Sequence, residues 1–299
     1  MKNNRSFQQL GVVFALALTL TTAVFAGVPD AGGDVSRKLF ATHSDSVLWL
    51  SVVAKVSYTT EGATDSPMNL PEQENKFEAY ATVISTNGLL VTALSSIDPS
   101  RAISGREITT RSGSRVKIDA SVNIKEVQII MPDGVEVPAE VVMKDVDLDL
   151  AFIRAKADSK QFKSVNFTAI DLKDSAKAVM AEETITLMRG DDVLNRQPAV
   201  VRGQVSVLIT KPREFVRVPS AAPGTPTFNT DGKFLGIGTV RFVQNRQPTI
   251  VLIPATDVLE FAELAKKAVV KPDVKTEKKP DAKPEDKTPA KSESKPEAK

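Results

Sequence analysis

Residues 220–240 restrict what this chain can fold into more than any other stretch. They read Ser-Ala-Ala-Pro-Gly-Thr-Pro-Thr-Phe-Asn-Thr-Asp-Gly-Lys-Phe-Leu-Gly-Ile-Gly-Thr-Val. Pro223 and Pro226 fix two φ angles around Gly224, so the small residues before the strand form a tight loop. Thr227-Phe228 start a strand, Asp231-Gly232 turn it, and Phe234-Leu235-Gly236-Ile237-Gly238 bring a second strand back. A rigid loop feeding a β-hairpin is the local prediction.

Other segments carry the same β signature. Residues 47–58 are rich in β-branched and aromatic side chains and predict a first strand, with the sole tryptophan, Trp49, in the core or plugging a barrel end. Residues 77–99 hold two apolar runs around Thr86-Asn87-Gly88, and Asn-Gly is a strong short-range hairpin signal. Residues 124–130 and 135–144 read as strands around the turn Met131-Pro132-Asp133-Gly134. A loop is predicted over 59–76, an irregular polar insertion over 100–123, and a polar connection over 156–184. Helical spacing appears twice. Val35, Leu39, Phe40 and Val47 follow a plausible N-cap at Ser36, and residues 255–268 place Val258, Leu259, Ala262 and Leu264 partly inward.

Taken in order, four of these motifs resemble trypsin-like serine proteases of the HtrA/Deg type. Thr82-Val83-Ile84-Ser85-Thr86-Asn87-Gly88-Leu89-Leu90-Val91-Thr92 is similar to the hairpin that leads to the family's catalytic histidine, which falls on Ser95 here. Ala79, Tyr80 and Ala81 stand where the family has smaller residues. Asp149-Leu150-Ala151 matches the Asp-Leu-Ala that carries the catalytic aspartate. Arg202-Gly203-Gln204-Val205-Ser206 resembles a Ser-Gly-Ile-Val-Ser strand, and Ile253-Pro254-Ala255 the strand entering a final helix. Arg189-Gly190-Asp191-Asp192 stands in place of a Gly-Asn-Pro turn. Aligned on Pro226, the Gly-x-Ser-Gly-Gly-Pro nucleophile loop puts Ala221 at the first glycine and Pro223 at the serine, with Gly224 and Thr225 following. The resemblance covers about residues 35–268. It implies an all-β chymotrypsin fold of two six-stranded antiparallel barrels, with a short N-terminal helix and a C-terminal one.

The chemistry of that family is missing from the matching positions. Acyl transfer needs an oxygen nucleophile, an imidazole, an orienting carboxylate and two N–H donors for the oxyanion. Pro223 supplies neither a hydroxyl nor a backbone N–H. His43 is the only histidine, and His43, Asp149 and Ser220 follow the order of the trypsin triad. Yet His43 precedes the first strand, where a surface or helix-cap role is expected, and Ser220 lies three residues ahead of the nucleophile slot. No lysine is placed to pair with Ser95. Asp149 is expected as a buried carboxylate that accepts hydrogen bonds, Ser95 among the donors. The alternating Asp145, Asp147 and Asp149 lack the glycine and closing glutamate of a calcium loop. With no cysteine and one histidine there is no zinc site, and no cofactor is expected.

The ends of the chain bear on location. Lys2 and Arg5 precede an apolar run from Leu10 to about Leu20, and Val24 and Ala26 suit a signal peptidase, so residues 1–26 read as a signal peptide, with an uncleaved anchor as the alternative. Residues 269–299, mainly Lys, Pro, Glu, Asp, Ala and Ser, read as a disordered spacer after a domain at 27–268. An exported domain, periplasmic or extracellular, with no disulfide must rely on its core. The net charge of +2 and scattered basic residues imply no nucleic-acid surface. These readings lead to a pseudoprotease that binds a protein or peptide partner. The peptide cleft is expected at Thr225, Gly238, Thr239, Val240 and Arg241, since strand pairing needs only an open edge. Two rival readings are a hydrolase with an unorthodox site and a structural envelope protein whose tail makes the contact.

Overall fold

A closed barrel forms because one long strand is paired on both edges. In the computed structural model, which describes residues 31–61, 72–109, 113–243 and 247–268, helix α1 (Ala31–His43) leads into β1 (Val47–Glu61). Then come β2 (Gln73–Ser85), β3 (Leu89–Ala93), short helices α2 (Leu94–Ile97) and α3 (Ser100–Ile103), β4 (Arg106–Thr109), β5 (Arg115–Ile130), β6 (Glu136–Asp145) and β7 (Leu150–Ala155). The sheet runs β1-β2-β3-β7-β6-β5-β4, and β1 also pairs with β5, so six strands close and β4 hangs on the outside. Residues 1–26, expected as a signal peptide, and residues 269–299, expected as a spacer, lie outside the described residues.

Alternation explains the closure. Leu48, Leu50, Val52, Val83, Leu90, Ile129 and Ile153 point into the barrel. On β7, Ala151 and Ile153 face that interior while Leu150 and Phe152 face the second sheet, which is why the strand is an unbroken apolar run. The hairpin from β2 to β3 spans three residues, Thr86 to Gly88. Gly88 N–H bonds to the Ser85 carbonyl, and its φ of 77° puts it in the left-handed region that glycine tolerates.

The second sheet contains β8 (Glu183–Arg189), β9 (Pro198–Gln204), β10 (Val207–Ile209), β11 (Phe215–Arg217), β12 (Pro226–Asn229), β13 (Phe234–Arg241) and β14 (Thr249–Pro254), followed by α4 (Ala255–Lys267). Its order is β10-β11-β14-β13-β12-β8-β9. It is a seven-stranded half-barrel whose end strands are not laddered together, so the expected two-barrel all-β fold is present, with the second barrel open and one strand larger than the six expected. Its far side is filled by Val205, Val216, Val218, Ala221 and Leu252. A third apolar cluster joins the two halves, with Val47, Val91, Leu150 and Phe152 from the first and Phe228, Ile237 and Ile253 from the second. Leu39 of α1 and Val258, Ala262 and Ala265 of α4 complete it.

Several sequence expectations are corrected. The loop expected over 59–76 is shorter, because β1 runs to Glu61 and β2 begins at Gln73. The insertion expected over 100–123 is largely structured: α3, then β4 paired with the early part of β5, which itself pairs with β1 back to Glu61. Those segments lack apolar periodicity because they form a ribbon beyond the barrel, with backbone pairing and little core. Ser36 is no N-cap. It lies inside α1 and its hydroxyl donates to the Gly32 carbonyl one turn back. Leu264 is exposed and Ala265 takes the inward place, since 258, 262 and 265 follow the helical period.

Candidate functional site

The site lies between the halves, where the turn after β6, the start of α2 and the end of β13 meet. Asp149 adopts a positive φ of 58°, and its backbone carbonyl accepts from Leu94 N–H at 2.8 Å. That contact sets the first turn of α2 against the carboxylate. Oδ1 accepts from the Ser95 backbone N–H and Oδ2 from the Ser95 hydroxyl, both at 2.8 Å. Oδ2 also accepts from Val240 N–H at 2.8 Å, across the cleft. Asp149 is 1% exposed. Burial pushes its carboxyl above the usual range, opposed by the bonds from Val240 and Ser95 and by the nearby charge of Arg101. Here the carboxylate straps the halves together, and its strap partner is a main-chain amide.

The loop at 221–225 is equally committed. Ala221 N–H bonds to the Val218 carbonyl and Gly224 N–H to Gly238, while Thr225 N–H bonds to Ala222. Ala222 N–H is taken by the Thr225 hydroxyl, which in turn donates to the Ala222 carbonyl at 2.7 Å. Pro223 has no N–H. No amide from 221 to 225 is left to receive an anion. Gly224 carries φ 84°, and a Cβ there would sit 2.0 Å from the Tyr80 carbonyl oxygen, so the loop is pressed on β2. The Thr82 hydroxyl donates to the Gly224 carbonyl at 2.8 Å and holds it there.

The candidate triad positions are therefore joined unevenly. Ser95 and Asp149 touch directly, whereas Pro223 packs with Ala222 against Gly238 of β13, two residues before the Val240 amide that Asp149 binds. His43 takes no part. It ends α1 with Nδ1 3.4 Å from the Ser46 hydroxyl and its ring stacked 6.2 Å from Phe228, and burial lowers its pKa. The Ser220 side chain faces Gly203 and Thr184 instead. Asp145 accepts from Leu148 N–H and shapes the turn, and Asp147 is exposed. Among the described residues no three acidic or histidine groups gather as a metal site.

Of the residues expected to face a peptide, Thr225, Gly238 and Thr239 are buried. Gly238 bonds to Thr225 and Gly224 on one edge of β13, and alternation turns Thr239 toward Val251 of β14. They do not line an open groove. Val240 and Arg241 are partly exposed. Val240 shares the edge of Gly238, so its carbonyl lies, with the N–H held by Asp149, on the edge away from β14, and Phe242 follows just past the strand.

Arg189, Trp49 and Tyr80 were not singled out as a group by any motif. The Arg189 guanidinium bonds to the carbonyls of Val47, Ser44 and Arg196 and to Asp45, while 4% exposed. Trp49 donates to the Gly190 carbonyl at 3.0 Å and lies 4.2 Å from the Tyr80 ring, whose hydroxyl donates to the Arg189 carbonyl at 2.7 Å. Trp49 is thus an inter-barrel contact. The only sequence signal was an isolated indole in a strand.

The trypsin-like peptidase domain family matches residues 80–237, more than half of the chain. The crystal structure of the MamO protease domain from Magnetospirillum magneticum in its apo form is similar at 18% sequence identity and a TM-score of 0.43, covering 75% of this chain and 98% of that one. No curated protein matches in sequence.

Proposed function

The chain belongs to the trypsin-like peptidase domain family, and from its site we propose that it is a non-catalytic member, exported from the cell, that binds an extended peptide or protein segment without cutting it. The observation that carries this reading is the state of the 221–225 loop. Every amide in it is bonded within the domain or absent, and Pro223 brings no nucleophile. Losing a single oxyanion donor costs about 3 kcal/mol of transition-state stabilisation, on the order of a hundredfold in rate. Here both donors are unavailable, Ser95 stands in place of a base, and Asp149 is committed to structure. What remains is recognition: the edge of β13 that carries the Val240 carbonyl, suited to pairing with an added strand.

The export reading rests on the signal-like residues 1–26, and the tail is proposed as a solvated spacer toward the envelope. The test uses unfolded casein with the mature protein. Calorimetric titration is expected to show association while mass spectrometry finds the casein intact after prolonged incubation. New casein fragments would sink the reading.

A further inference from the structure

Two arginines flank the open end of β13 and neither has an ion-pair partner among the described residues. Arg241 projects from the strand toward the half-barrel, its guanidinium carbon 4.5 Å from the centre of the Phe215 ring. Arg101 reaches in from α3 on the other side, 5.2 Å from the centre of the Phe242 ring, donates to the Val146 carbonyl, and is close enough to Asp149 to influence its titration. By contrast Arg189, Arg196, Arg202 and Arg213 all hold carboxylates. Stacking on an aromatic face fixes the plane of a guanidinium while its edge N–H groups stay available, which pre-organises it for a carboxylate. Asp149 does not neutralise the pair by contact, because its oxygens are spent on Ser95 and Val240.

We propose that this cleft selects acidic peptides. The proposal rests on the reading of the β13 edge as a peptide-binding edge, and adds its specificity. Arg241 lies on the face of β13 that carries Ile237 and Thr239 and packs on Phe215 of β11, whereas Phe242, the residue just past the strand, packs under Arg101 of α3 on the other side. A strand added at Val240 and Phe242 alternates its own side chains in the same way. Acidic residues that engage both arginines are therefore an odd number of positions apart.

The experiment is fluorescence anisotropy of labelled, unstructured decapeptides with the full-length mature protein at low and high salt. One peptide carries two glutamates at odd spacing, one has them at even spacing, and one replaces both with glutamine. The odd-spaced peptide is expected to bind about tenfold more tightly than its glutamine version, with the advantage falling as salt rises. Arg241→Gln and Arg101→Gln should each remove most of the difference between the odd-spaced glutamate peptide and its glutamine version. Arg241→Lys, which keeps the charge but not the planar fork, should retain part of it. Far-UV circular dichroism confirms that each variant is folded. Equal binding of all three peptides, insensitive to the arginines, would overturn the acidic selection and leave the edge reading standing. Equal binding of the odd and even glutamate peptides would overturn the two-face arrangement. No binding of any peptide would overturn the edge reading and this proposal with it.

Discussion

Gly224 has no room for a side chain, and Asp149 has no free oxygen; those two residues define what the cleft can do. With φ at 84° and a carbonyl 2.0 Å from where a Cβ would stand, Gly224→Ala should cost about 4 kcal/mol in urea unfolding, because the obstacle is backbone. A loss under about 1 kcal/mol would mean that the loop is not pressed on β2. Asp149 makes a pH-dependent contribution whose sign is fixed by its raised pKa. The folded state binds the proton more readily than the unfolded chain, so this group's contribution is fully present below the ordinary value of 3.8 and is lost as pH rises through the elevated folded pKa. Asp149→Asn should abolish that part of the stability–pH curve. It should also lower stability by about 2 kcal/mol, since the amide has one accepting oxygen where the carboxylate has two, and its NH2 must face one of the donors Ser95 N–H, Ser95 hydroxyl or Val240 N–H. The position of Asp149 was legible in Asp-Leu-Ala and that of Ser95 in the hairpin before it. The Val240 amide was not, because a backbone donor leaves no mark in the residue types.

At the scale of elements, α4 shows how the halves share parts. Its buried residues are Ala255, Val258, Ala262 and Ala265, Leu259 and Phe261 pack beside them, and Arg154 of β7 reaches across to its end. The guanidinium donates to the Ala265 carbonyl at 2.6 Å and to the Ala268 carbonyl at 3.0 Å, placing a cation at the C-terminal end of the helix. Arg154→Ala should cost about 1–2 kcal/mol and raise amide hydrogen exchange in α4 before it does so in β7. Uniform exchange through both would deny the capping role. The strands with two buried faces and the glycine turns were readable because apolar continuity and turn chemistry are written residue by residue. The outlying ribbon of β4 and the early part of β5 was not, since backbone pairing without burial demands no particular side chains.

The whole molecule depends on docking of one closed barrel against one open half-barrel, through a shared apolar cluster and polar pins at Arg189, Trp49, Tyr80, Thr82 and Asp149. Trp49 sits in that contact, so its fluorescence should unfold at the same denaturant concentration as the far-UV circular dichroism signal. An earlier fluorescence transition would show that the halves separate first. On the proposed non-catalytic reading, the positions that would carry proton transfer and acyl attack hold the Ser95 hydroxyl bonded to Asp149, that carboxylate and Pro223. The most direct test is a fluorophosphonate probe applied to the native protein and to Pro223→Ser, read by intact mass. The native protein is predicted to gain no phosphonyl group, and Pro223→Ser to remain unlabelled as well, because Ala221 N–H stays bonded to Val218 and no imidazole is at hand. Stoichiometric labelling of the native protein would contradict the account.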